Sequence, residues 1–101
     1  MQKDAERFLP DRELVEKLKS GRLANPHYIL GMHEFEEGRV VRVYDPEATK
    51  ITILAGRVRV PMTLADGIFV AYFPDAKDQF PYKLERVYGD KRKYVAEDPY
   101  F

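Results

Sequence analysis

Short alternating segments separated by turn signals constrain the fold of this chain more than any other feature. Beyond Gly38, runs rich in β-branched and aromatic residues recur about every ten residues, with Asp, Gly or Pro between most of them. The six runs are residues 39–44, 50–54, 57–62, 68–73, 81–88 and 91–96. No helical pattern separates them, which disfavours a parallel α/β fold. The pattern therefore predicts an all-β fold, an immunoglobulin-like antiparallel β-sandwich of about six or seven strands over residues 38–101.

The alternation within these runs predicts which faces are buried. Tyr82, Leu84 and Tyr88 share one face of their strand, which we expect to point into the sandwich. Pro61 lacks a backbone N–H, so its strand is predicted to lie at an edge of a sheet or to end there. Gly89 occupies the first central position of the last turn, and Gly at that position favours a type II′ hairpin.

A helical pattern is confined to the N-terminal part of the chain. Residues 11–21 space Leu14 and Leu18 along one side of an amphipathic helix, and Gly21 is suited to end it in the left-handed conformation. A helix of about two and a half turns is not stable alone. We therefore expect one short N-terminal helix that buries Leu14 and Leu18 against the sandwich.

Residues 22–37 join this helix to the first predicted strand. The segment mixes Pro, Gly, His and apolar residues, unlike the Ser/Gly composition of a flexible linker. It is predicted to be an ordered loop without regular secondary structure. Leu30 is expected to be buried, and at least one of His27 and His33 is expected to hydrogen-bond to the backbone.

Composition excludes several classes of protein. A chain of 101 residues forms one domain, and the absence of Cys rules out a disulfide framework or a thiolate zinc site. The 17 basic and 17 acidic residues leave no basic excess of the kind that nucleic-acid binding uses. The sequence has neither an apolar run of about 20 residues nor a secretory signal. We expect a cytoplasmic domain with no nucleic-acid or membrane partner.

The sequence offers no catalytic, cofactor or metal site. His27 and His33 are separated by a loop with Pro and Gly, a spacing that does not place two imidazoles on one face for zinc. Ser20 is the single serine and lies outside any nucleophile motif. The chain has no Gly-rich phosphate loop, and its carboxylates cluster in turns and on polar strand faces. Glycosidic chemistry would need two carboxyl groups that face each other across a cleft, whereas a solvated role is more common for carboxylates in such positions.

Four segments together carry a resemblance to a known family. Asn25–His33 (NPHYILGMH) looks like the (D/N)PHxxLGxH segment of bacterial 1,4-α-glucan branching enzymes, and Gly38–Ala48 is similar to their GxVVRxxxPxA strand and turn. Gly67–Phe69 resembles the family's GxF strand start, and Asp98–Tyr100 resembles the DPY that closes its N-terminal domain. Met32 departs from the pattern, because the family often has Pro there. The likeness spans residues 12–101.

The resemblance implies that the chain is the first domain of a longer enzyme. In this family a catalytic barrel cleaves an α-1,4 glucan bond and transfers the chain to a 6-hydroxyl, and none of its catalytic positions lies in this sequence. The resemblance therefore implies a non-catalytic domain of glycogen biosynthesis, which docks on the remaining domains of its parent chain and biases the positioning and transfer of glucan chains. No cofactor is implied.

Two other functions remain open, an autonomous carbohydrate-binding module for α-glucans and an interaction domain unrelated to glucans. Sugar-binding modules stack a pyranose ring on an exposed aromatic side chain, and this chain has seven Tyr but no Trp. We predict weak or indirect glucan contact. The candidate residues for glucan or interdomain contact are Tyr28, His33, Tyr72 and Tyr82.

Overall fold

A computed structural model describes residues 5–100 and shows two packed antiparallel sheets with one short α-helix. This confirms the predicted all-β sandwich. The helix α1 spans Arg12–Lys19, and a 3-10 helix spans Pro26–Tyr28. The strands are β1 Gly31–Phe35, β2 Gly38–Val43, β3 Ala48–Ala55, β4 Val58–Pro61, β5 Thr63–Ala65, β6 Ile68–Phe73, β7 Lys83–Tyr88 and β8 Lys93–Glu97.

Each sheet contains four strands. Sheet 1 has the order β1-β2-β6-β5, and sheet 2 has the order β4-β3-β7-β8. Residues 5–100 thus form eight strands where about six or seven were expected. One additional strand is β1, and the other is β5, which follows the predicted run 57–62 after the chain passes from sheet 2 to sheet 1 at Met62.

The prediction that residues 22–37 lack regular structure was wrong. This segment contains the 3-10 helix and all of β1, which pairs with β2 from Gly31 opposite Arg42 to Phe35 opposite Gly38. The two strands are joined by a two-residue turn in which Glu36 takes a φ of 53°. Such a turn usually carries Gly or Asn, so the sequence held no hairpin signal at this point. Leu30 is buried, as expected.

Two layers of apolar side chains pack against sheet 1. The inner core, between the sheets, contains Met32, Val41, Val43, Ile51, Ile53, Met62, Phe69, Ala71, Tyr82 and Leu84. The outer core lies on the opposite face of sheet 1 and contains Ala5, Val15, Leu18, Ile29, Leu30, Ala65, Ile68 and Val70. Sheet 1 is therefore a middle layer buried on both faces. This explains why β6 (IFVAYF) carries no charged residue, as is typical of strands covered on two sides.

The helix α1 forms part of the outer core. Val15 and Leu18 are buried and Leu14 packs partly buried beside them, so the expectation holds fully for Leu18 and in part for Leu14. Gly21 has a φ of 74°, as predicted for the residue that ends the helix. Its N–H donates to Leu18 O, and the next N–H, of Arg22, donates to Lys17 O at 2.9 Å. This pair of bonds is the Schellman arrangement, which satisfies the last carbonyl groups of a helix.

The turn between β7 and β8 differs from the predicted type II′ hairpin. The residue with positive φ is Lys91, at 68°, rather than Gly89. Lys91 N–H donates to Tyr88 O at 2.8 Å, and Tyr88 N–H donates to Arg92 O at 3.1 Å, so the loop contains three residues. A three-residue loop shifts the left-handed position to its last residue, and the dipeptide Gly-Asp alone does not reveal this loop length.

The predicted faces of the strands are mostly as expected. Pro61 lies in β4, which is an edge strand of sheet 2. Tyr82 and Leu84 are buried in the inner core, whereas Tyr88 is half-buried.

Leu84 is only 2% exposed, so truncation of its side chain is predicted to lower the stability of the domain strongly. Leu84→Ala should lower the free energy of unfolding by about 3 kcal/mol, because it removes apolar contacts and leaves a cavity between the sheets. Leu64→Ala is the matched control, since Leu64 is 44% exposed, and it should cost less than about 1 kcal/mol. Denaturant unfolding monitored by circular dichroism measures both. Equal costs for the two variants would contradict this description of the core.

Candidate functional site

Three of the sequence segments singled out above meet at one end of the sandwich. The 3-10 helix, the start of β1 and Asp98–Tyr100 lie side by side, and we call this region the motif junction (Asn25–Gly31, Arg42 and Asp98–Tyr100). The rings of His27 and Tyr100 are in edge contact, with centroids 4.8 Å apart. Gly31 has a φ of 87°, and a Cβ at this position would overlap the backbone carbonyl of Tyr100. Gly is therefore required where β1 begins.

Arg42 fastens this region from within the outer core. Its residue is 7% exposed, and its guanidinium group donates to Phe8 O at 2.7 Å and to Ile29 O at 3.2 Å. One side chain of β2 therefore anchors the segment before α1 and the end of the 3-10 helix. Desolvation by burial lowers the pKa of Arg42 from its ordinary value. Removal of this side chain would leave the carbonyl groups of Phe8 and Ile29 without these donors.

Asp98 closes the C-terminal side of the motif junction. The Tyr82 hydroxyl donates to Asp98 Oδ2 at 2.5 Å, and the backbone N–H of Tyr100 donates to Asp98 Oδ1 at 3.0 Å. Burial, together with the hydrogen bond and the charge of Asp98, raises the pKa of Tyr82 well above its usual range. Tyr82 is thus a neutral donor that holds the end of the domain against β7.

The structure places two of the predicted contact residues at or near the motif junction. Tyr28 lies on the 3-10 helix and is 77% exposed, the most exposed large apolar residue among those described. His33 is partly buried in β1, and its Nε2 lies 2.8 Å from Leu30 O. The expected backbone hydrogen bond of a histidine is therefore present, and it orders the turn into β1. Of these two residues, only Tyr28 presents an accessible ring.

Tyr72 lies away from the motif junction, in an aromatic cluster on the outer face of sheet 1. Its ring stacks on Phe8 at a centroid distance of 4.7 Å and meets Phe35 edge-on at 5.7 Å. The Arg7 guanidinium lies 4.5 Å from the Phe8 ring and pairs with Glu36 at 3.2 Å. Because Tyr72 is engaged on both sides, its ring serves packing of the N-terminal segment.

Tyr82, the fourth predicted residue, contributes to an open groove on sheet 2, although its own side chain is mostly buried. The groove encloses about 600 Å³ and its lining is mainly apolar. It is lined by Leu54, Gly56, Pro81, Tyr82, Lys83, Val95 and Glu97. The register places Leu54, Lys83 and Glu97 in one cross-strand row on the solvent face, with Val95 beside them. The Tyr82–Asp98 hydrogen bond links this groove to the motif junction.

Sequence reasoning missed most of the groove. Leu54, Pro81 and Val95 come from different parts of the chain, and alternation alone gives each strand's faces without its neighbours. The signal available in the sequence was an apolar residue, Val95, on a strand otherwise rich in charge. This residue indicates a groove only when β8 is known to be an edge strand.

Among residues 5–100 no three His, Asp or Glu side chains come together as metal ligands. No helix in the same range is long and apolar enough to cross a membrane. The partly buried carboxylates of Asp45 and Asp98 each accept a hydrogen bond from a tyrosine hydroxyl, at 2.7 and 2.5 Å respectively. These two carboxylates therefore stabilise the fold, and the groove offers apolar contact.

Comparison with known proteins identifies sequences similar to this chain. Residues 11–100 match the family model described as the N-terminal domain of the α-1,4-glucan branching enzyme GlgB. The 1,4-α-glucan branching enzyme GlgB of Mycolicibacterium paratuberculosis (strain ATCC BAA-968 / K-10) is 34% identical over 92 residues, which cover 90% of this chain and 12% of that protein. The enzyme of the same name from Mycobacterium tuberculosis (strain ATCC 25177 / H37Ra) is 30% identical over 96 residues, 94% of this chain and 13% of the relative. The chain thus spans a small part of the length of the proteins it matches.

The motif junction predicts a strong position dependence for glycine substitution. Gly31→Ala should lower the free energy of unfolding by about 3 kcal/mol or more, because it adds both left-handed strain and overlap with Tyr100. Gly56→Ala is the control: Gly56 also has positive φ, 61°, but a Cβ there meets nothing within 4 Å. It should cost about 1 kcal/mol. Thermal and denaturant unfolding test both variants, and similar losses would refute the close approach at Gly31.

Proposed function

This chain belongs to the family of N-terminal domains of the α-1,4-glucan branching enzyme GlgB, and on that premise we propose that it is the non-catalytic front domain of a branching enzyme. One observation carries the proposal: the matches cover nearly all of this chain but only 12% and 13% of the relatives. The parent would be a glycosyltransferase of glycogen biosynthesis that acts in the cytoplasm. Its chemistry would belong to the parts of the relatives that this chain does not match.

The groove on sheet 2 supports a docking role for the domain. Its apolar lining would lose contact with water against a neighbouring surface, a gain of roughly 25 cal/mol for each Å² of apolar area. Lys83 and Glu97 flank the apolar centre and could pair with charges on that surface. The occupant we propose is another domain of the parent chain, since most of the relatives' length lies outside the matched region.

Docking would affect the glucan indirectly. A domain fixed beside a catalytic barrel shapes the space through which a long glucan chain approaches, and any weak contact raises the effective concentration of that chain. Tyr28 is the accessible ring that could supply such a contact, with Tyr72 and His33 held in packing roles. The balanced charge and the absence of Trp offer no support for a nucleic-acid partner or for a strong sugar platform.

The alternative, an autonomous α-glucan-binding module, is favoured by one observation, the 77% exposure of Tyr28. A single ring without convergent hydrogen-bond donors supplies only part of a sugar site. We expect titration of the isolated domain with maltooligosaccharides, followed by NMR, to give a dissociation constant weaker than about 10 µM, which corresponds to about −7 kcal/mol. A tighter constant that Tyr28→Ala abolishes would establish the alternative.

The docking proposal predicts a specific result in the parent enzyme. A parent that lacks this domain should retain branching activity but transfer chains of a different length distribution, because positioning is lost while the reacting groups remain. Leu54→Asp should reproduce this change in the full-length enzyme, because it places a charge in the apolar groove. Leu64→Asp, on an exposed residue outside the groove, is the control and should leave the distribution unchanged.

Debranching of the product followed by chain-length analysis provides the readout. Complete loss of transfer in a truncated enzyme with an intact barrel would show that this domain takes part in the chemistry. An unaltered distribution for both the truncation and Leu54→Asp would show that it has no positioning role.

A further inference from the structure

Strand β8 is an unusually open edge of the sandwich. All five residues, Lys93–Glu97, are exposed, whereas each of the other edge strands has at least one residue that is buried or half-buried. The opposite edge of the same sheet, β4, also contains Pro61, which cannot donate a hydrogen bond to a further strand. An edge of this kind is a template for pairing with another strand.

The phase of the β7–β8 ladder fixes which backbone groups of β8 are available. Tyr88 N–H donates to Arg92 O at 3.1 Å, which makes this a hydrogen-bonded pair. Bonded and non-bonded pairs alternate along an antiparallel ladder, so Tyr94 and Ala96 bond to β7. The N–H and C=O groups of Lys93, Val95 and Glu97 therefore point away from β7, towards the open side.

We propose that β8 pairs antiparallel with β8 of a second copy of this chain, with Val95 opposite Val95 at the two-fold axis. This register places Lys93 opposite Glu97 of the second copy, and Glu97 opposite its Lys93. Each of these pairs is in the bonded phase of the new ladder, since the outward groups belong to the same three residues. The edge is thus self-complementary in both hydrogen bonds and charge, as a two-fold interface requires.

The side chains on both faces fit this pairing. Lys93, Val95 and Glu97 share the solvent face of sheet 2, so two salt-bridging pairs would flank a central apolar contact. On the other face, Tyr94 of one copy lies opposite Ala96 of the other, and Tyr94 is 49% exposed in the single chain. With another partner strand, Lys93 and Glu97 would lie opposite side chains that do not match their charges. The same two charges therefore disfavour indiscriminate pairing.

The zero net charge of the chain places no long-range repulsion between two copies. Pairing of five residues along one edge is nevertheless a small interface, below the size typical of stable dimers. We expect a reversible dimer with a dissociation constant between about 10 µM and 1 mM. Val95 and Glu97 also line the groove, but dimerisation uses the backbone edge of β8, so it goes beyond the docking proposal and does not depend on it.

Charge exchange on β8 tests the register directly. Lys93→Glu alone places two acidic pairs across the axis, and Glu97→Lys alone places two basic pairs there. Each variant should dimerise at least about tenfold more weakly than the unmodified chain. An equimolar mixture of the two restores opposite charges at every pair, so it should form a heterodimer with the original affinity. The double variant Lys93→Glu/Glu97→Lys should also regain self-association.

Sedimentation velocity at concentrations up to about 1 mM, with NMR shifts of the β8 amides, provides the measurement. Lys50→Glu and Glu47→Lys are controls that change net charge equally on exposed residues outside β8, and both should dimerise as the unmodified chain does. Val95→Pro removes only an outward N–H and should abolish dimerisation while the monomer stays folded. A chain that remains monomeric at about 1 mM would overturn the proposal. Single variants that associate normally, or a mixture no better than its components, would overturn the register.

Discussion

Burial of sheet 1 on both faces is the constraint around which the domain is arranged. Side chains of β2 and β6 pack inward against sheet 2 and outward against the N-terminal segment and α1. On a strand that is buried on both faces, a positively charged side chain is tolerated only where backbone carbonyl groups accept its hydrogen bonds. Arg42 meets that condition through Phe8 O and Ile29 O, and so secures the covering layer to the sheet. The short helix would not form alone, and it is stabilised because its apolar side packs into this layer.

The same arrangement places the features with functional potential on sheet 2. Sheet 1 is covered, while sheet 2 keeps an uncovered face with an apolar groove and an open edge at β8. The Tyr82–Asp98 hydrogen bond joins the groove to the motif junction, where Gly31 permits the close approach of Tyr100. The residues of the motif junction hold the C-terminal segment of the domain against the start of β1. A domain held together in this way is suited to present a fixed surface to a neighbour. On the proposed function, such a surface would position the domain against the rest of a branching enzyme.

Much of this fold could be predicted from the sequence, because alternation and turn residues are local signals. The helix ending at Gly21, the edge position of Pro61 and the buried side of Tyr82 and Leu84 all follow from such signals. Pairing between segments that are distant in the chain leaves no comparable signal in the sequence. The strand β1 was missed because its turn uses Glu36 in a left-handed conformation, and the groove was missed because it depends on which strands are neighbours. Of the predicted contact residues, Tyr28 alone has an open ring, and burial of the others is set by residues far away in the sequence.

Hydroxyl-radical footprinting with mass spectrometry, applied to this chain alone and to the full-length parent enzyme, tests the docking account most directly. Measurements at low micromolar concentration keep any β8 pairing dissociated. The account predicts that labelling of Leu54, Pro81 and Val95 falls several-fold in the parent, because a neighbouring domain covers the groove. Unchanged labelling at these three residues, with protection of Tyr28 only when glucan is added, would contradict docking through sheet 2 and would identify the domain as a glucan-binding module.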